Sequence, residues 1–114
     1  ICTAARAADG AHIWSAHVKL GLKAGAREEA FHAIDTYAPL DDLTADEALI
    51  IGFGRELLES PQVSDETFAA VRARYGERGL MEITAAMSVY MMNATILRVM
   101  DHQAAADARP LTPR

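Results

Sequence analysis

Ala11-His12-Ile13-Trp14-Ser15-Ala16-His17-Val18-Lys19-Leu20-Gly21-Leu22-Lys23-Ala24-Gly25 is the stretch whose reading decides the fold. Its spacing is helical. Ile13, His17 and Leu20 run along one side, and Trp14, Val18 and Gly21 along the next stripe, with Leu22 four residues beyond Val18. A histidine therefore sits beside the only tryptophan, on a mostly apolar surface that calls for burial. Gly21 and Gly25 allow another helix to come close at this end, and Gly25 suits a C-terminal stop.

The totals agree with a helical domain. With 114 residues the chain fits one domain, and 51% hydrophobic against 24% charged residues suffices for a core. Abundant alanine and few β-branched runs favour an all-α fold. A net charge of −5 argues against a nucleic-acid surface, which needs clustered Lys and Arg. No uninterrupted apolar run approaches the roughly 20 residues of a membrane span, so no membrane partner is expected. The single cysteine, Cys2, has no internal partner, which fits a reducing, cytoplasmic setting. The chain opens at Ile1 already in a helical pattern, and reads as a fragment of a longer protein.

Outward from the central stretch, six helices are expected. Residues 1–8 form a helix end, broken at Asp9-Gly10. The second helix spans about 11–24. A third covers about 27–36, with Glu28 and Glu29 in its first turn, where the helix dipole favours acids. Thr44 and Glu47 have capping-box spacing and start a fourth helix that runs to about Glu59. Ser64 caps a fifth, burying Phe68, Val71 and Tyr75 and ending at Gly76. The sixth and longest reaches about Gln103 and is apolar almost all round, so part of it is expected to meet another subunit. Residues 104–114 carry two prolines and read as a loose tail after a domain of residues 1–103.

The run Trp14, His17, Gly25, Glu28, Glu29 resembles the carboxymuconolactone decarboxylase and alkylhydroperoxidase D-like superfamily. Residues 55–58, 63–68 and 79–84 are similar to its second half. The resemblance implies a compact all-α bundle assembling as trimers or hexamers. It also implies a relay role for His17. In the peroxidase branch a Cys-x-x-Cys pair precedes that histidine, but the matching positions here are Gly10 and Ile13. Thiol peroxidase chemistry is therefore not expected. The remaining branch implies a cofactor-independent lyase acting on a small organic acid or lactone, with no metal and with His17 as acid/base. The same scaffold can instead serve as a non-catalytic small-molecule-binding module. The family often carries an acid where Ile13 stands.

Taken residue by residue, each candidate has a structural alternative. His17 either moves protons near neutral pH or is a hydrogen-bonded core histidine. Trp14 is a pocket wall or plain core. Tyr90 and Asn93, three apart on the long helix, either present a hydroxyl and an amide to a substrate or bond within the protein. Cys2 reads as a small buried apolar group, and Glu82 as a buried acid paired with Arg55 or Arg98. The methionines read as adaptable packing. Gly52-Phe53-Gly54 lacks the rest of a dinucleotide fingerprint. His12 and His17, five apart, do not make a helical zinc pair. Arg72, Arg74 and Arg78 form a solvated face.

Overall fold

Cys-Thr-Ala-Ala-Arg-Ala is the shortest helical segment of the chain, and it holds the centre of the molecule. This helix, α1 (Cys2–Ala7), packs against all the others in the computed structural model, which describes residues 1–114. The others are α2 (Ala11–Lys23), α3 (Glu28–Thr36), α4 (Ala45–Glu59) and α5 (Asp65–Val99). Helices make up 68% of the chain and there is no strand. Small side chains let α1 take this place: Ala4 and Ala5 are fully buried, and a larger residue at either would push neighbouring helices apart. The buried Gly54 of α4 has the same role, since a Cβ there would stand 2.7 Å from Thr3 Cγ2.

Local signals in the sequence behave as expected. Thr44 and Glu47 form a complete capping box, and the Ser64 hydroxyl accepts from Thr67 N–H. At the end of α2, Gly25 N–H donates to Leu22 O and Ala26 N–H to Gly21 O, with Gly25 at φ 92°. This is the left-handed stop that glycine makes easy. Gly21 does admit a close neighbour: a Cβ there would lie 2.6 Å from Phe31 Cζ of α3.

Five helices replace the expected six because the last two are continuous. Hydrogen bonding carries α5 through Gly76, whose φ 72°, ψ 175° lies outside the helical region and kinks the helix into arms 65–75 and 77–99. That backbone region is open almost only to glycine. The helix ends at Val99 rather than near Gln103, with Asp101 left-handed at φ 52°.

Two apolar clusters form the core. The larger gathers Trp14, Val18, Phe31, Ile34 and Ile51 around α1, and the smaller gathers Phe53, Val71, Leu80 and Met87 where α4 meets α5. Three expected core residues lie outside. Leu20 and Leu22 are 58% and 40% exposed, because α2 rests on α1 along a narrower stripe than its periodicity suggests. Phe68 is 45% exposed. Within α5, one 18-residue window reaches a mean hydropathy of 1.3. By length and composition this helix is apolar enough to cross a membrane, which uninterrupted runs in the sequence did not reveal.

The segment 104–114 has no helix, but it is not loose. Leu111 packs on the larger core cluster, and Thr112 donates its N–H and its hydroxyl to the Asp35 carboxylate at 2.9 and 2.7 Å. Arg6 Nη1 donates to Thr112 O at 2.9 Å, and Arg114 reaches Asp9, Glu59 and the Tyr37 hydroxyl. Asp35 and Arg6 are 7% and 4% exposed, so the tail closes over a buried ion pair.

Candidate functional site

His17 stands midway along α2, partly buried, where α2 faces the second arm of α5. Its Nδ1 lies 2.9 Å from the Ile13 carbonyl, one helical turn back. A carbonyl only accepts, so Nδ1 carries the proton and Nε2 keeps its lone pair. Nε2 has no partner in the protein. The Tyr90 ring stands edge-on to the imidazole, with centroids 5.0 Å apart and planes at 77°.

His17, Tyr90 and Asn93 line one hollow of about 320 Å³ together with His12, Ile13, Ala16, Ile96 and Leu97. The i, i+3 spacing that set Tyr90 and Asn93 on one side of the long helix thus brings them to the histidine. Neither the Tyr90 hydroxyl nor the Asn93 amide is hydrogen-bonded within the chain. Two imidazoles, a phenol and an amide therefore line a mostly apolar space, and His17 Nε2, the Tyr90 hydroxyl and the Asn93 amide have their hydrogen bonds unclaimed. Such a space can hold a small molecule with a polar end and exchange a proton with it.

On its other side His17 borders a second hollow of about 590 Å³, mostly apolar, between α2, α3 and α4. Cys2 belongs to this wall. Burial pushes its thiol up from the ordinary value, which keeps it a thiol and makes it a poor nucleophile. Asp46 and Glu47 also line this space, but neither is free for proton transfer. Asp46 is held by Arg74 at 2.7 and 2.8 Å. The Arg27 guanidinium, with help from Thr44 N–H, holds the Glu47 carboxyl down at about 2.

That depression predicts an acid-sensitive stability term. A carboxyl whose folded value lies below its unfolded one stabilises the fold above the ordinary glutamate value of about 4.3. The contribution is lost as pH falls through about 2. Wild type should therefore be more stable than Glu47→Gln at neutral pH, and the gap should close between those two values. Urea unfolding midpoints that differ equally at both ends of the range would contradict this.

The chain matches no protein-family model, no curated protein and no solved structure.

Trp14 is not a wall of either hollow beside His17. It is 0% exposed and packs edge-to-face on Phe31, with centroids 6.4 Å apart. Trp14 precedes His17 by three residues, but its larger apolar surface draws it inward to α1 and α3 while the imidazole stays at the edge. Glu82 is exposed and pairs with Arg78 at 2.7 Å, not with Arg55 or Arg98. Those two arginines bond backbone carbonyls instead: Arg55 those of Ala33 and Ala38, Arg98 that of Ala8. Of the expected arginine face, Arg74 and Arg78 are each tied to a carboxylate, and so is Arg72, to Glu77. His12 turns to His102, ring centroids 4.5 Å apart. Sequence reasoning did not anticipate Asp46 and Glu47 beside the site; the capping box accounts for Glu47 and the first turn of α4 with Arg74 for Asp46, so nothing local marked them as wall residues.

Proposed function

We propose that the chain is a carboxymuconolactone decarboxylase-like protein of the alkylhydroperoxidase D-like type, from the branch without the cysteine pair. In this reading it is a cofactor-independent lyase acting on a small organic acid or lactone. The observation that carries it is the hollow lined by His17, Tyr90 and Asn93, whose Nε2, hydroxyl and amide have no hydrogen-bond partner in the chain. Further support comes from the all-helical fold and from the residues that carry the resemblance, Trp14, His17, Gly25, Glu28 and Glu29, lying on α2, at its stop and at the start of α3.

The chemistry follows from that arrangement. The substrate's carbonyl oxygen accepts from Tyr90 and Asn93, which stabilise charge developing on it. The bond to the carboxylate breaks, carbon dioxide leaves, and the electron pair passes into an enolate. His17 takes up a proton from solvent at Nε2 while Nδ1–H stays on Ile13 O, gives that proton to the enolate carbon, and returns to the neutral form with Nε2 free. A mostly apolar wall favours the step, because a carboxylate loses its hydration on entry. Gly10 and Ile13 at the thiol positions, together with a thiol-form Cys2, argue against peroxide chemistry. The reading extends to a homo-oligomer, trimer or hexamer, in the cytoplasm, supported by the single free cysteine and the apolar outer surface of α5.

One observation favours a second reading, a non-catalytic small-molecule-binding module. Ile13 brings no acid to the hollow, and both carboxylates of the neighbouring wall are neutralised by arginines. Incubating the protein with a panel of lactone acids separates the two. The lyase reading expects carbon dioxide release that His17→Ala lowers by about 10²–10⁴-fold, the usual worth of a general acid or base. Binding without turnover, seen as shifts of the Asn93 amide resonances, would leave the module. No binding by any lactone acid would overturn both.

A further inference from the structure

On the second arm of α5, Ala85, Val89, Met92, Ile96 and Val99 follow one another at steps of four, three, four and three. This is the spacing of a seam that packs against another helix. All five are exposed; Val89, Met92, Ile96 and Val99 are 48%, 54%, 52% and 78% accessible. The residues this arm buries in its own core, Leu80, Met87 and Ala94, lie on the opposite side of the helix. The two faces are therefore distinct, and only one has a partner within the chain. Ile96 belongs to the outer seam and also to the wall of the His17 hollow, beside Asn93.

We propose that this seam packs against the same seam of a second copy of the chain about a two-fold axis, and that the second copy closes the open side of the hollow holding His17, Tyr90 and Asn93. The closure rests on that hollow being the working site; the pairing does not. Three features select a second copy. Steps of three and four give left-handed, near-parallel or antiparallel helix packing, in which an identical seam is a fitting partner. The length from Glu82 to Val99 is about 27 Å, several turns of uninterrupted contact. Covering these side chains together with Met81 and Met100, 64% and 73% exposed, would remove on the order of 1,200–1,500 Å² over both copies, within the range of stable pairs. A bilayer fits less well. Arg78 and Glu82 lie on this same face and Ser88 and Asn93 on its flanks; all are acceptable at the wet edge of a protein interface and costly in lipid.

Sedimentation of the whole chain from low micromolar to near-millimolar concentration tests the pairing. A mass of twice 12.3 kDa or a multiple of that pair, such as a hexamer, is expected, falling to a single chain in Met92→Glu and independently in Val99→Glu, with helical circular dichroism unchanged; a trimer would overturn the two-fold pairing. Both positions are exposed in the single chain, so the fold does not depend on them. In wild type the His17 ring proton resonances should move with the fraction of dimer. A single chain at every concentration, an oligomer that both variants leave intact, or His17 signals indifferent to association would overturn the proposal. So would a chain that stays single and binds anionic or neutral vesicles through Met92, which would assign the seam to a membrane surface. None of these readouts depends on turnover, so a failure of the lyase reading remains distinguishable.

Discussion

Replacing Asp35 by alanine should destabilise the protein by about 3 kcal/mol, the lower end of the cost of breaking a buried ion pair, because Asp9 still faces Arg6. The Asp35 carboxylate accepts two hydrogen bonds from Thr112 and stands 4.0 Å from Arg6 Nη1, whose side chain is 5% exposed. Without it the Arg6 guanidinium keeps the Thr112 carbonyl, the face of Tyr37 and the half-exposed Asp9 carboxylate, which at 3.7 Å is nearer than Asp35 itself. Arg6 Nε already lacks a partner, so the site has no spare acceptor to offer. Since whole domains are stable by only about 5–15 kcal/mol, this loss is a large fraction of the total. Removing residues 104–114 should cost a comparable amount, because it strips Asp35 of both Thr112 bonds and exposes Leu111's seat in the core. Thr112→Ala should cost less, about 1.5–3 kcal/mol, the usual worth of a hydrogen bond to a charged group. Urea unfolding of the three variants checks the order. A truncated chain as stable as the full one would mean that the tail merely rests on the surface.

Trp14→Ala should cost about 3–5 kcal/mol through the cavity it leaves. The ring is wholly buried, at the contact of α2 with α1 and α3, and no neighbour can collapse into its space without moving a helix. Its indole N–H has no acceptor, so the side chain contributes through shape and contact alone. Trp14→Phe should therefore cost far less than its loss of volume suggests. It keeps the edge-to-face packing with Phe31 and removes a buried donor whose unpaired state is worth about 1–3 kcal/mol against the fold. Unfolding curves in which the phenylalanine variant is as weak as the alanine variant would show that the indole N–H has a role the packing does not reveal. In either variant His17 should keep its ring position, since Nδ1 is fixed by the Ile13 carbonyl and not by the indole.

The sequence by itself determined where α4 and α5 begin and where α2 ends, but not that the last helix continues through Gly76 and stops at Val99. Thr44 with Glu47, Ser64 and Gly25 act on neighbours three to five residues away, so their chemistry is complete in the local chain. The same local geometry set Tyr90 and Asn93 on one side of α5, and the all-α fold followed from composition and period. Only the tertiary structure decided which faces those helices cover. It put the small-residue helix α1 at the centre, sent Trp14 into the core while His17 stayed at the edge of two hollows, and left Leu20 in water. It also turned the apparent loose tail into a clasp, through contacts 77 residues apart between Asp35 and Thr112. Amphipathic spacing says that a stripe needs cover, but what arrives to cover it depends on segments distant in the chain, whose approach no local pattern encodes.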